Sequence, residues 1–115
     1  MSESILVSTK KILGIEADYP AFDMDIIMHI NSAIATLNQL GIGPEEGFMI
    51  EDDSAEWGEL LDDDPNLNNV KSFIYLTVKL AFDPPTTSFA LAAFEKQIAE
   101  HVWRINVYRE GRDRV

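Results

Sequence analysis

The chain has no cysteine, which removes disulfides, thiolate metal sites and thiol nucleophiles at once and fits a reducing compartment. Histidine, the usual organiser of acid–base and metal chemistry, occurs only as His29 and His101. Neither has a second histidine three or four residues away, so no zinc motif forms, and both read as satisfied or partly exposed helix residues. Basic residues are also scarce, nine Lys and Arg against twenty Asp and Glu, for a net charge of −11. Phosphate contact needs a basic surface, so this balance argues against a free-standing nucleic-acid binder. No apolar run approaches the ~20 residues that span a bilayer. Met1-Ser2-Glu3-Ser4 carries neither a basic start nor an apolar core, and no secretion signal is expected there.

What is present is helical periodicity. A length of 115 residues with 46% hydrophobic content is one ordinary domain, able to bury ~65% of its unfolded surface. The stretch from Val70 to Phe82 is apolar nearly all round, with Val70, Phe73, Ile74, Thr77, Val78, Leu80 and Ala81 on one broad side. A helix of that kind is surrounded by protein, and it is the expected axis of the fold. Pro84 and Pro85 stop it. Thr87 or Ser88 then offers an N-cap oxygen to a second helix, striped by Leu91, Phe94, Ile98, Val102 and Ile105. Ala90, Ala92, Ala93 and Ala99 leave room for another helix to approach it.

Upstream, Ser4–Leu13 reads as a first helix with Ile5 and Ile12 inward, joined by Leu6 and Leu13. Lys10 and Lys11 sit at its dipole-favoured end, and Gly14 is its stop. Asp23 is the expected cap of a long helix whose stripe, Ile26, Ile27, Ile30, Ala33, Ile34, Leu37 and Leu40, ends at Gly41. Gly47-Phe48-Met49-Ile50 reads as a short extended piece. Asp53-Ser54-Ala55-Glu56 has capping-box spacing ahead of a short helix pinned by Trp57. The expectation is an all-α single domain over residues 1–115: a compact bundle of about four helices, a short helix in an irregular acidic loop, and an extended C-terminal helix and tail. The helices fall at roughly 4–13, 23–40, 55–61, 67–82 and 88–109, leaving 110–115 to fray.

The residues that carry chemistry form no recognisable motif. Asp62, Asp64, Asn66 and Asn68 alternate as a calcium loop begins, but Leu67 stands where the turn requires Gly and Phe73 where a bidentate Glu is needed. Gly41, Gly43 and Gly47 miss dinucleotide spacing and follow a helix instead of a strand. The many carboxylates sit in an exposed run, where nothing raises a pKa. No cofactor, metal or catalytic residue is expected.

Charge is unevenly placed. Ten acids and no Lys or Arg lie between Glu45 and Asp64, among them Glu51, Asp52, Asp53, Asp62, Asp63 and Asp64. From Arg104 to the end four arginines stand against two acids. Such segregation is either a solvated surface or an assembly in which one subunit's acidic edge meets another's basic tail. Trp103, Arg104, Tyr108 and Arg109, with Arg112 and Arg114 beyond, are residue types enriched at binding hot spots. Either Trp103 packs on the domain's own core and the arginines are solvated, or the cluster meets a partner.

Several segments, taken in order, resemble the small head–tail connector proteins of long-tailed bacteriophages. They are Lys11-Ile12-Leu13-Gly14-Ile15, Phe22-Asp23-x-Asp25-Ile26-Ile27, Ile30-Asn31 and Leu37-Asn38-Gln39-Leu40-Gly41, then Val70-Lys71-x-Phe73-Ile74-Tyr75-Leu76 and Lys79-Leu80-x-Phe82-Asp83-Pro84-Pro85. The likeness runs from about residue 5 to about 110, and its specificity lies in the whole series. It implies an all-helical structural virion protein, made in the host bacterial cytoplasm. Such proteins form a ring, typically twelvefold, between the portal and a stopper or tail-terminator protein. The ring extends the DNA channel without binding DNA specifically and helps retain the packaged genome. The resemblance implies no enzyme and no cofactor. On this reading Trp103, Arg104, Tyr108, Arg109, Arg112 and Arg114 face the portal. Glu51, Asp52, Asp53, Asp62, Asp63 and Asp64 line the channel or touch a neighbouring subunit. The rival readings are an acidic DNA mimic that occupies a nucleic-acid-binding protein, and a tail-completion protein of the same virion.

Overall fold

The computed structural model describes residues 3–44, 46–61 and 68–113, with side chains through residue 108. Among the described residues five helices form an all-α fold: α1 (Ile5–Ile12), α2 (Asp23–Gln39), α3 (Trp57–Leu61), α4 (Asn68–Phe82) and α5 (Ser88–Asp113). Among the described residues there is no strand, only an isolated antiparallel bridge between Ser4 and Glu56.

The apolar-all-round stretch is the axis. α4 packs against both α2 and α5. It buries Val70, Phe73, Ile74 and Val78, while Leu76, Thr77 and Leu80 are half-buried. From α2 come Ile26, Ile30, Ala33, Ile34 and Leu37, all buried. Each fully buried Ile or Leu contributes roughly 1.5–3 kcal/mol, so this contact is a main source of the domain's stability. Gly14 and Gly41 end α1 and α2 with φ of +78° and +87°, a backbone region that strains any side chain.

α1 departs from the expected pattern. Ile12 is 56% exposed, whereas Ser8, Thr9 and Lys10 are buried. These polar residues tolerate burial because each is satisfied. The hydroxyls of Ser8 and Thr9 donate to the carbonyls of Ser4 and Ile5, both at 2.7 Å. Lys10 Nζ donates to the carbonyls of Ala17 (3.1 Å) and Tyr19 (2.7 Å) and forms an ion pair with Asp23 Oδ1 at 2.7 Å. Lys10, in the last turn of α1 as expected, therefore also clamps the 14–22 connector. Asp23 is correspondingly the first residue of α2 and not its cap; Phe22 occupies the cap position with no side-chain bond. Phe22 sits between Tyr19 and Phe82, tilted against the first and edge-on to the second at 5.9 and 5.4 Å between ring centroids, and ties the connector to the end of α4.

The long loop after α2 is anchored at three points. Ile42 and Ile50 are buried plugs. The side chain of Asn31 accepts from Ile50 N at 2.8 Å and donates to its carbonyl at 3.0 Å, so the expected extended piece pairs with an amide group instead of a strand. Trp57 is buried, and its Nε1 donates to Ser8 Oγ at 2.8 Å. The expected capping box is displaced by three residues. Glu59 Oε2 accepts from Glu56 N at 2.7 Å, so α3 begins at Trp57 and not at 55.

At the turn after α4, Thr87 Oγ1 accepts from Ala90 N at 3.1 Å, the N-cap anticipated for α5. α5 then continues to Asp113, past the expected end near 109 and through most of the segment expected to fray. Its 26 residues make a rod roughly 39 Å long at 1.5 Å per residue.

Candidate interaction surface

α5 presents two apolar faces. Its inner face carries Phe94, Ile98, Val102 and Ile105, with Ile105 fully buried; Leu91, in the first turn, stays at the surface. Phe89, Ala92, Lys96, Ala99, Trp103 and Val107 are all exposed. Their spacing of three, four, three, four and four places them in one stripe, roughly opposite Ile98 and Ile105 at 100° per residue. Phe89 is 86% exposed and Trp103 66%. Large aromatics left in water along one line of a helix mark a contact surface. Of this stripe, the sequence reading had only Ala92 and Ala99 as space for a helix, and Trp103.

The expected partner cluster at the end of α5 is split. Trp103 and Arg104 point to solvent, whereas Tyr108 is half-buried and packed on the core. Five residues of helix separate Trp103 from Tyr108 by roughly 140° around the axis. Arg109 and Arg112 lie in the last turns of α5, beyond the last described side chain, and Arg114 lies outside the described residues.

A second surface lies at the head of α2. Met24 and Met28 are 81% and 61% exposed. A cleft of about 510 Å³ beside them is lined by Leu6, Pro20, Met24 and Ile27, with Asp23, Glu51, Asp52 and Asp53 on its walls. Glu51, Asp52 and Asp53 are exposed; Asp62, Asp63 and Asp64 fall outside the described residues. The side-chain and backbone hydrogen bonds from Ser54 hold Asp52 below its ordinary pKa of 3.8. A depressed carboxylate stabilises the fold above its unfolded pKa and loses that contribution as pH falls through the folded value. Ser54→Ala is expected to raise the Asp52 pKa back toward 3.8, as followed by carbon-13 NMR titration of the carboxyl, and to remove part of that small contribution to stability.

His101 Nδ1 lies 3.0 Å from Asn69 Oδ1, a bond that ties α5 to the start of α4. His29 is half-buried on α2. Among the described residues no group of three His, Cys, Asp or Glu side chains is placed to hold a metal ion, and no helix is long and apolar enough to cross a membrane.

The arrangement is that of a helical structural module with groups of large apolar side chains turned outward on α2 and α5. A family model for phage connector proteins matches residues 5–112, and the chain belongs to that family. The match agrees with the resemblance read from its segments and makes the chain a structural, virion-associated protein of the head–tail connector type. No curated protein and no solved structure matches the chain.

Proposed function

We propose that copies of this chain close into a ring between the portal and the stopper or tail-terminator protein, extending the DNA channel and helping to retain the packaged genome. The observation that carries this reading is the outward stripe of α5 from Phe89 to Val107, which the subunit itself leaves uncovered. A rod carrying apolar residues on opposite faces packs on its own domain with one face and is free to meet another body with the second. The resemblance sets the expected symmetry at twelvefold. A net charge of −11 supports passage of DNA without adhesion, because a duplex is repelled by a surface of its own sign.

The basic end of the chain, with Arg109, Arg112 and Arg114, is the portal-facing part in this proposal, and the outward stripe faces other copies. Deleting residues 109–115 removes those arginines and leaves Ile105 and Tyr108 in place. The truncated chain is expected to keep its melting temperature and lose portal in a pull-down. Portal retention at the full-length level would refute the assignment of that end.

A further inference from the structure

We propose that the outward stripe of α5 docks head-to-tail in the cleft at the head of α2 of a second copy, with Trp103 against Met24 and Ile27. This inference rests on the ring reading and adds which two surfaces meet. Three observations carry it. Both surfaces expose large apolar side chains: Trp103 and Phe89 on one, Met24 and Met28 on the other. Lys96 gives the pairing a charge complement. It stands within the stripe, with exposed Glu100 and Arg104 on one flank, whereas the cleft is walled by Glu51, Asp52 and Asp53 beside the Lys10-paired Asp23. An aromatic anchor beside a cation, facing an apolar pit beside carboxylates, is the pairing expected of a specific interface.

The third observation is placement. α4 has α2 and α5 as its principal neighbours, and each of these turns its exposed residues away from its buried face. The two surfaces therefore belong to different flanks of one subunit. A contact between unlike surfaces is heterologous, and repeated with a closing rotation it makes a ring instead of a two-fold dimer. Methionine suits the receiving side, since its flexible thioether packs readily against an aromatic ring.

The absence of cysteine gives a clean test. Met28→Cys and Val107→Cys each change an exposed residue beside, and not within, the proposed anchor contact. Chains carrying one or the other are mixed and treated with a short bis-maleimide, and each is also treated alone. The expected result is a cross-linked dimer in the mixture and none in either single sample. Adding Trp103→Ala to the Val107→Cys chain is expected to lower the yield at least tenfold. A dimer in either single sample, a yield indifferent to Trp103→Ala, or no cross-link in the mixture would overturn the contact. Native mass spectrometry of the untreated chain mixed with its portal separates the two failures. Complete rings without the cross-link leave the ring standing and remove only this pairing, whereas single copies on the portal remove both.

Discussion

Trp57→Ala is expected to lower the unfolding free energy by about 4 kcal/mol, the middle of the range for deleting a buried aromatic. The residue is 2% exposed and joins three elements. Its N–H bonds Ser8 on α1, its ring meets Tyr75 of α4 edge-on at 5.7 Å and 86°, and Lys71 Nζ sits 5.5 Å from its ring centroid. It is also flanked by backbone bonds that tie the loop to the start of the chain, from Trp57 N to Glu3 O at 3.0 Å and from Ile5 N to Ala55 O at 2.9 Å. Truncation therefore leaves a cavity and also releases the acidic loop from the body. Urea titration reads the loss directly. Trp57→Phe, which keeps a ring and gives up the N–H bond and part of the volume, is expected to fall well short of that cost. Trp103→Ala serves as the contrast, because its side chain is largely in water and its loss is expected to cost less than ~0.5 kcal/mol.

Lys10→Ala is the second large effect, expected to cost about 3 kcal/mol, at the lower end for breaking a buried ion pair because Asp23 keeps some contact with water. The substitution strands a carboxylate and two carbonyls, and it frees the connector that carries Tyr19 and Phe22. The pair is separable by a double-mutant cycle. Lys10→Met combined with Asp23→Asn removes both charges and keeps volume. It is expected to be less destabilised than the sum of the single changes, with a coupling of about 1–3 kcal/mol. Additivity within ~0.5 kcal/mol would show that the clamp acts only through packing.

These two residues also mark where sequence reading stops. α2 and α4 were legible because their apolar residues recur with one phase over four turns or more, and Gly41 and Pro84-Pro85 end them by backbone sterics alone. On α1 the inward placement of Ile5 and Leu6 was legible as well, but the burial of Ser8, Thr9 and Lys10 and the exposure of Ile12 were not. A periodicity count places Lys10 in solvent, and nothing in the local sequence announces that Asp23 and two carbonyls thirteen residues or fewer away will satisfy it. The start of α3 was missed for a related reason. Asp53 and Glu59 both offer carboxylates near Glu56, and tertiary anchoring of Trp57 selects the second.

The candidate surface was half legible. Trp103 and Arg104 stood out by residue type, but the stripe they belong to did not, because α5 has two apolar lines on opposite sides and together they resemble no amphipathic pattern. A search for the second line at the same period and opposite phase would have found Phe89, Ala92, Ala99 and Val107. The acidic cleft at Met24 was invisible, since Leu6, Ile27 and Asp52 come from three separated segments.

The most direct test of the account is the mass of the particle formed when the chain is mixed with its portal, read by native mass spectrometry. The account predicts one dominant species carrying a complete ring of copies on each portal, formed without stable intermediates that hold one or two. Single copies scattered on the portal, or no complex at concentrations where the chain is folded, would contradict it.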